Sequence, residues 1–140
     1  MKILLAVDGS SYTKKMLAYL TTNLDMFAGD NDYTVLTVQG TLPSRARAAV
    51  GKEVVDTYYA EEAAKVLDPV IKYLQRHELK VKSLSKVGNA GEVIAKTAAS
   101  GKFDMVIMGS RGHGAFGSLV MGSVATRVLA NCDTPVLLVR

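Results

Sequence analysis

The sequence predicts an α/β protein with a doubly wound, open parallel sheet of five strands and helices on both faces, a Rossmann-like architecture. Short apolar runs rich in β-branched residues alternate with longer segments of helical periodicity along the whole chain. The predicted strands are too apolar to leave one face in water, which is typical of a parallel sheet covered on both sides. Right-handed crossovers then wind the chain over both faces. We expect one domain, residues 1–140.

The first predicted elements are a strand, a helix and a second strand. The first strand, Lys2–Val7, ends at the turn sequence Asp-Gly-Ser-Ser, where Asp8 or Ser10 can cap the next helix. That helix, residues 12–29, carries apolar residues at helical spacing and stops at a glycine. The second strand, Tyr33–Val38, is short and β-branched.

The middle of the chain is predicted as a loop, a long helix, a strand and a further helix. Residues 39–52 show no clean period and indicate a loop or a loop with a short helical turn. The long helix, residues 53–78, contains Pro69, which we expect to kink or split it because proline removes a helical hydrogen bond. In residues 79–87, Leu79, Val81, Ser83 and Ser85 alternate with Lys80, Lys82, Leu84 and Lys86. This alternation indicates a strand near the sheet edge. Residues 88–102 form the next helix.

The last predicted elements are a strand over residues 103–109, a helix over 122–132 and a closing strand over 134–140. Pro135 stands at the start of the closing strand, where a missing N–H is tolerated. This strand is apolar to its end, and an apolar strand at a free edge tends to pair with another chain. We therefore expect a two-fold homodimer formed through this C-terminal edge.

Composition excludes several functional classes. Hydrophobic residues make up 49% of the chain and charged residues 21%, as in an ordinary globular protein. No apolar run approaches the roughly 20 residues that cross a bilayer. The net charge is +4, but the basic residues are scattered and form no aromatic-interleaved stripe. We expect no membrane and no nucleic-acid partner. The single cysteine, Cys132, fits a reducing compartment, so a cytoplasmic location is expected.

The junction MGSRGHGAFGSLVMGS, between the fourth strand and the last helix, has five glycines in sixteen residues. Without a Cβ atom, the main chain at Gly109, Gly112 and Gly122 can approach a ligand closely and can adopt positive φ. Successive main-chain amides then form a concavity that binds anions. Ser123 and Val124 begin the last helix, where free N–H groups and the helix dipole favour a phosphate.

A carboxylate follows the first strand at the same end of the predicted sheet. Ligands of doubly wound folds bind outside the carboxyl ends of the strands, where the strand order reverses. If the first and fourth strands are neighbours, Asp8 faces Gly109 across that crevice. This arrangement predicts a nucleotide site, with a carboxylate for the ribose diol and bare amides for the phosphates.

Two better-known phosphate patterns do not account for the junction. A Walker loop needs Gly-Lys-Ser or Gly-Lys-Thr, whereas residues 101–103 are Gly-Lys-Phe. Gly112, Gly114 and Gly117 spell G-x-G-x-x-G. A dinucleotide fingerprint also needs a following βαβ unit and an acidic residue about 20 positions on, and only one short helix and one strand remain.

The spacing that fits is G-x2-G-x9-G-S, formed by Gly109, Gly112, Gly122 and Ser123. Together with ILLAVDGS near the start and TPVLLVR at the end, it strongly resembles the universal stress protein family, specifically its ATP-binding branch. The resemblance extends over essentially the whole chain. It implies the universal stress protein fold and an ATP-binding protein with a regulatory or stress-response role, which acts through nucleotide-dependent conformation or partner binding.

The resemblance also implies ten binding positions in three groups. They are Ala6, Val7 and Val38 around the adenine, with a hydrogen bond from the Val38 main chain; Asp8, Met108 and Gly109 at the ribose; and Gly112, Gly122, Ser123 and Val124 at the phosphates. A Mg²⁺ or Mn²⁺ ion, where the family has one, sits on the phosphates. The sequence shows no independent carboxylate or histidine cluster that would hold it.

Simpler interpretations stay open at this point. Asp8 and Ser123 can be helix caps alone, and the glycines can serve a tight connection that binds nothing. Arg111 and His113 lie in the loop and can face either phosphates or solvent. The alternative functions are a slow ATP hydrolase and a stress scaffold that binds no nucleotide. No Ser-His-Asp or Cys-His set at readable spacing supports nucleophilic catalysis.

Overall fold

The computed structural model describes residues 1–27, 29–114, 117 and 120–140. Within these ranges the strands are β1 (Lys2–Ala6), β2 (Asp32–Gln39), β3 (Val81–Val87), β4 (Met105–Gly109) and β5 (Val136–Val139). The helices are α1 (Ser11–Thr22), α2 (Ser44–Val50), α3 (Lys52–Arg76), α4 (Ala90–Ser100) and α5 (Ser123–Asn131), with a 3-10 turn at Leu24–Phe27.

The strands form a five-stranded parallel sheet in the order β3-β2-β1-β4-β5, which confirms the predicted fold class. The chain builds outward from the central β1, first to β2 and β3 and then to β4 and β5. The strand order therefore reverses between β1 and β4, and their carboxyl ends flank a crevice there. The pairing of Ala6 with Met108 confirms that the first and fourth strands are neighbours.

Side chains of the central strand alternate between two hydrophobic clusters, one on each face of the sheet. Ile3, Leu5 and Val7 belong to the cluster that includes α1 and α3. Leu4 and Ala6 belong to the cluster that includes α4 and α5. Burying apolar side chains on both faces is the main force that stabilises such a sheet, and it explains why the central strand β1 carries no polar face.

Two helical regions differ from the prediction, and a third extends it. α1 ends at Thr22, where Asn23 leaves the helical conformation with φ −118° and ψ 35° and its side-chain amide donates to the carbonyl of Tyr19 at 2.9 Å; a separate 3-10 turn follows. The segment predicted as a loop, or as a loop with a short helical turn, contains α2, a helix of 7 residues with no buried side chain. α3 is one helix of 25 residues, so the expectation that proline splits it is wrong; Pro69 lies on its exposed side.

Among the described residues, no helix is both long and apolar enough to cross a membrane.

Candidate functional site

A cavity of about 450 Å³ opens at the carboxyl ends of the strands where their order reverses. This is within the usual volume of a small-molecule site. It is lined by all ten positions implied at the sequence level, Ala6, Val7, Asp8, Val38, Met108, Gly109, Gly112, Gly122, Ser123 and Val124. The other lining residues are Thr13, Leu36, Ala90, Ile94, Arg111, His113, Gly114 and Ala125.

One part of the cavity wall is apolar. Ala6, Leu36, Ile94 and Met108 all belong to the hydrophobic cluster under α4 and α5, and their side chains are buried. Sequence reasoning missed Leu36 and Ile94. Leu36 has a signal, since it lies two residues before Val38 and therefore on the same face of its strand. A flat apolar group of a ligand would find a desolvated surface here.

Val7 lines the cavity through its main chain. Its side chain belongs to the opposite hydrophobic cluster, with α1 and α3, and is 5% exposed. Adjacent residues of a strand point to opposite faces, so only the main chain of Val7 faces the side on which Ala6 lies. Val7 cannot frame a base through its side chain.

The main chain of Val38 points past the end of β1. The carbonyl of Leu36 accepts a hydrogen bond from the Val7 N–H at 2.9 Å, and Leu36 is the last β2 residue in register with β1. Alternate residues of a parallel strand direct their N–H and C=O groups to the same side. The polar main-chain groups of Val38 therefore point toward the cavity that this residue lines.

Asp8 is held by the first turn of α1. Its Oδ1 accepts hydrogen bonds from the Ser10 N–H and the Thr13 hydroxyl, both at 2.9 Å. The Thr13 hydroxyl also accepts from the Asp8 N–H at 3.0 Å. Ser10 occupies the N-cap position, so the interpretation of Asp8 as the N-cap is wrong. The sequence analysis did not identify Thr13 as a partner of Asp8. The signal for it is its position, since a short hydroxyl side chain in the first turn of a helix can reach a carboxylate that precedes the helix.

The environment of Asp8 keeps it ionised. Partial burial alone would raise the pKa of Asp8, but hydrogen bonds from Ser10 and Thr13, together with the nearby imidazole of His113, outweigh burial and lower the pKa below its ordinary value of 3.8. The site therefore presents a carboxylate of fixed orientation at neutral pH. A carboxylate is an acceptor only, and suits a ligand that offers hydroxyl groups.

Close approach of the backbone explains two of the loop glycines. A Cβ atom on Gly109 would lie 2.7 Å from the Cβ of Tyr12 in α1. A Cβ atom on Gly112 would collide with Oδ2 of Asp8. The main chain at Gly112 thus lies directly against the carboxylate, and any side chain there would displace one of them.

Gly109, Gly112 and Gly122 do not adopt the positive φ that glycine allows. Gly122 is the N-cap of α5 with φ −78° and ψ 168°, an extended conformation open to other residues. Positive φ among the glycines occurs instead at Gly9, Gly29, Gly51, Gly88 and Gly114. Space rather than backbone conformation is what requires glycine at the loop positions, because a Cβ on Gly122 would lie 3.1 Å from the Cα of Arg111.

The start of α5 forms another part of the cavity wall. Gly122 is the N-cap and Ser123 the first helical residue, so the interpretation of Ser123 as a cap is wrong. Ser123, Val124 and Ala125 all line the cavity. The first N–H groups of an α-helix have no partner within the helix, and they carry the positive end of its dipole. This wall suits an anionic group.

The two loop side chains left open by the sequence have different surroundings. Arg111 lies with its guanidinium carbon 5.6 Å from the centre of the Tyr12 ring. His113 contacts Asp8 through both its ring and its main chain. Both residues line the cavity, and neither side chain is buried.

No group of three or more His, Cys, Asp or Glu side chains that could hold a metal ion occurs within the described ranges of the chain. The side chains lining the cavity that could ligate a metal ion are the Asp8 carboxylate, the His113 imidazole and the hydroxyls of Thr13 and Ser123. A divalent cation at this site would therefore take most of its ligands from a bound phosphate group and from water.

Comparison with known proteins identifies the family. The sequence model described as "Universal stress protein family" matches residues 1–140. The chain belongs to the universal stress protein family. Universal stress protein Slr1230 of Synechocystis sp. is 30% identical over 139 residues, which are 99% of this chain and 42% of that protein. Universal stress protein MJ0577 of Methanocaldococcus jannaschii is 35% identical over 80 residues, which are 57% of this chain and 49% of that protein.

Solved universal stress protein structures agree with the fold. The structure of MJ0577 superposes with a TM-score of 0.81 at 27% identity, covering 99% of this chain and 94% of that chain. A universal stress protein family protein of Arabidopsis thaliana with AMP bound has a TM-score of 0.70 at 16% identity, covering 99% and 90% of the two chains. The sequence matches span less than half the length of three relatives: 39% of a universal stress protein of Thermus aquaticus, 42% of Slr1230 and 49% of MJ0577.

Proposed function

We propose that this universal stress protein binds ATP in the crevice between β1 and β4 and acts in a regulatory or stress-response role through nucleotide-dependent conformation or partner binding. The observation that carries the proposal is the convergence of all ten implied positions on one cavity. Its apolar wall, its carboxylate and its amide-rich wall match the three parts of an adenine nucleotide. The AMP-bound Arabidopsis relative supports an adenine nucleotide as the ligand class.

The adenine is assigned to the apolar wall. Ala6, Leu36, Ile94 and Met108 offer a buried surface, and the main chain of Val38 supplies hydrogen bonds to the base edge. A micromolar affinity requires about 8 kcal/mol, whereas a helix N-terminus contributes only about 0.3–1 kcal/mol when exposed. Burial of the base is therefore needed for a nucleotide to bind at cellular concentrations.

The ribose is assigned to Asp8. Its Oδ1 accepts from the Ser10 N–H and the Thr13 hydroxyl. Its Oδ2, to which the His113 N–H is directed at 3.4 Å, can accept a further hydrogen bond from a ribose hydroxyl. The main chain of Met108 and Gly109, at the end of β4, lies on the other side of the crevice. The fixed carboxylate favours a diol, because no reorientation of Asp8 is needed on binding.

The phosphates are assigned to Gly112, Gly122, Ser123 and Val124. These residues line the cavity beside the start of α5, where free amides favour an anion. ATP rather than a shorter nucleotide is proposed because the G-x2-G-x9-G-S spacing resembles the ATP-binding branch of the family. A Mg²⁺ or Mn²⁺ ion would be held by the phosphates.

The proposed assembly is a homodimer. β5 is an edge strand of the sheet with the apolar sequence VLLV. The opposite edge strand, β3, carries lysines at Lys82 and Lys86, which discourage edge pairing. Pairing through β5 around a two-fold axis would cover the apolar edge.

Isothermal titration calorimetry of the purified protein with ATP, AMP, adenosine and GTP tests the ligand assignment. We expect micromolar binding of ATP and weaker binding of GTP, whose exocyclic groups differ at the base edge. A protein that binds none of the adenine ligands at millimolar concentration would be a scaffold, contrary to the proposal. Measuring phosphate release at saturating ATP distinguishes a binding protein from a slow ATP hydrolase.

A further inference from the structure

The imidazole of His113 joins the glycine loop to the turn between β1 and α1. Its Nε2 lies 2.8 Å from the main-chain oxygen of Asp8, 105 residues away in the sequence. A carbonyl oxygen only accepts hydrogen bonds, so Nε2 is the donating nitrogen of the ring. The His113 N–H also points to Oδ2 of Asp8 at 3.4 Å. Both ends of His113 are thus directed to the same residue.

Gly112, the residue before His113, lies directly beside Asp8. Gly112 lies so close to Asp8 that a Cβ on it would collide with Oδ2. The hydrogen bond of the His113 ring does not use the carboxylate but the main chain of Asp8, which the end of β1 holds in place. The His113 ring therefore links the loop to the main chain just after β1, while the main-chain N–H of His113 is directed to Oδ2, the carboxylate oxygen assigned to the ribose, at the longer distance of 3.4 Å.

We propose that His113 is a positioning residue that holds the main-chain amide of Gly112 in place for a nucleotide phosphate, and so makes the site select nucleoside phosphates over nucleosides. This inference rests on the proposed function. The donor of the ring is directed to the Asp8 carbonyl, so His113 acts through the loop and not by direct charge on the phosphate. Preorganised donors lose less free energy on binding than donors that must first be ordered.

Three variants of His113 test the role of its hydrogen bond. In glutamine, the amide nitrogen is separated from Cα by the same number of bonds as Nε2 of histidine; in asparagine it is one bond closer. We expect His113→Ala to weaken ATP binding about threefold to tenfold, as for the loss of one hydrogen bond, and to change adenosine binding less than about twofold. His113→Gln should restore most of the ATP affinity, and His113→Asn should not.

The matched control is His77→Ala, which removes the exposed histidine at the end of α3. It should bind ATP as the wild type does, and thermal melting checks that each variant is folded. The inference is overturned if His113→Ala binds ATP normally, if it loses ATP and adenosine affinity equally, or if asparagine rescues as well as glutamine.

A nitrogen NMR measurement separates the failure of this inference from failure of the proposed function. The ¹⁵N shifts of the His113 imidazole in the protein without nucleotide should show the proton on Nε2. A wild-type protein that binds no adenine nucleotide refutes the proposed function whatever the tautomer. A wild-type protein that binds ATP but carries the proton on Nδ1 alone refutes the role of His113 and leaves the proposed function standing.

Discussion

At the scale of single residues, Gly112 determines how closely the loop approaches Asp8. We expect Gly112→Ala to weaken ATP binding about tenfold or more, because the new methyl group must displace either the carboxylate or the loop, and overpacking of this kind costs about 1–3 kcal/mol. Calorimetry measures the loss. The matched control is Gly117→Ala in the same loop, where a Cβ would meet no atom of the described residues within 4 Å. Equal affinity of the two variants would contradict the assignment of Gly112.

Asp8 should make folding stability depend on pH. A carboxyl group whose pKa is lower in the folded protein stabilises the fold above its unfolded pKa, and this contribution is lost as the pH falls through the folded value. Because the pKa of Asp8 lies below 3.8, its contribution is complete above about pH 5 and declines below 3.8.

Urea unfolding of the wild type and of Asp8→Asn between pH 7 and pH 3 measures this dependence. The difference in the free energy of unfolding between them should be constant from pH 7 to pH 5 and shrink toward pH 3. Asp56→Asn, a change at an exposed position of α3, should show no such trend. A difference that grows toward acid would contradict the hydrogen-bonded role of Asp8.

The sequence locates the candidate site through its glycine spacing and the ends of its strands. All ten positions that the resemblance implies line one cavity, and their binding roles stay predictions. The sequence alone does not show that the Val7 side chain lies on the face of the sheet opposite that of Ala6. Leu36 and Ile94 were missed because the apolar wall exists only after β2 and α4 pack together.

At the scale of elements, α3 shows how a proline can lie inside a helix. Pro69 is on the exposed side, so the carbonyl four residues earlier can be hydrated instead of paired. We expect Pro69→Ala to raise the free energy of unfolding by about 1–3 kcal/mol, since proline is about 3 kcal/mol less favourable than alanine in a helix interior and its stiffening of the unfolded chain offsets part of this.

Urea unfolding checks the effect of Pro69→Ala. The matched control is Asp68→Ala, a change at the neighbouring exposed position of the same helix, which should stay within about 0.5 kcal/mol of the wild type. Destabilisation by Pro69→Ala would show that the proline is needed for the path of α3.

The boundaries of the helices were less predictable than the strands. Most strands are short apolar runs with turn residues at their ends, so the hydrophobic pattern and the turn residues predict the same boundaries. The helix predicted over residues 12–29 instead ends at Thr22, where Asn23 leaves the helical conformation and its side chain bonds back to Tyr19, and apolar periodicity cannot register such a local change. α2 has no buried residue and therefore no apolar period to reveal it.

At the scale of the whole molecule, the two edges of the sheet should behave differently. The carbonyls of Pro135, just before β5, and of Val139 accept from the N–H groups of Val106 and Ser110, each at 2.8 Å, so their polar groups face inward. Leu138, an odd number of residues away, therefore directs its N–H to the free edge. The N–H of Gly88, just after β3, donates to Gln39 of β2, so Ser85 directs its N–H to the opposite free edge.

Proline substitutions at these two positions test the proposed dimer. Each removes one outward N–H from an edge strand, where proline is tolerated best. Sedimentation velocity at micromolar concentration should show a dimer for the wild type and for Ser85→Pro, and a monomer for Leu138→Pro, because only β5 pairs with a second copy. Circular dichroism checks that both variants keep the fold. A wild-type monomer, or a Ser85→Pro variant that dissociates while Leu138→Pro stays dimeric, would rule out pairing through β5.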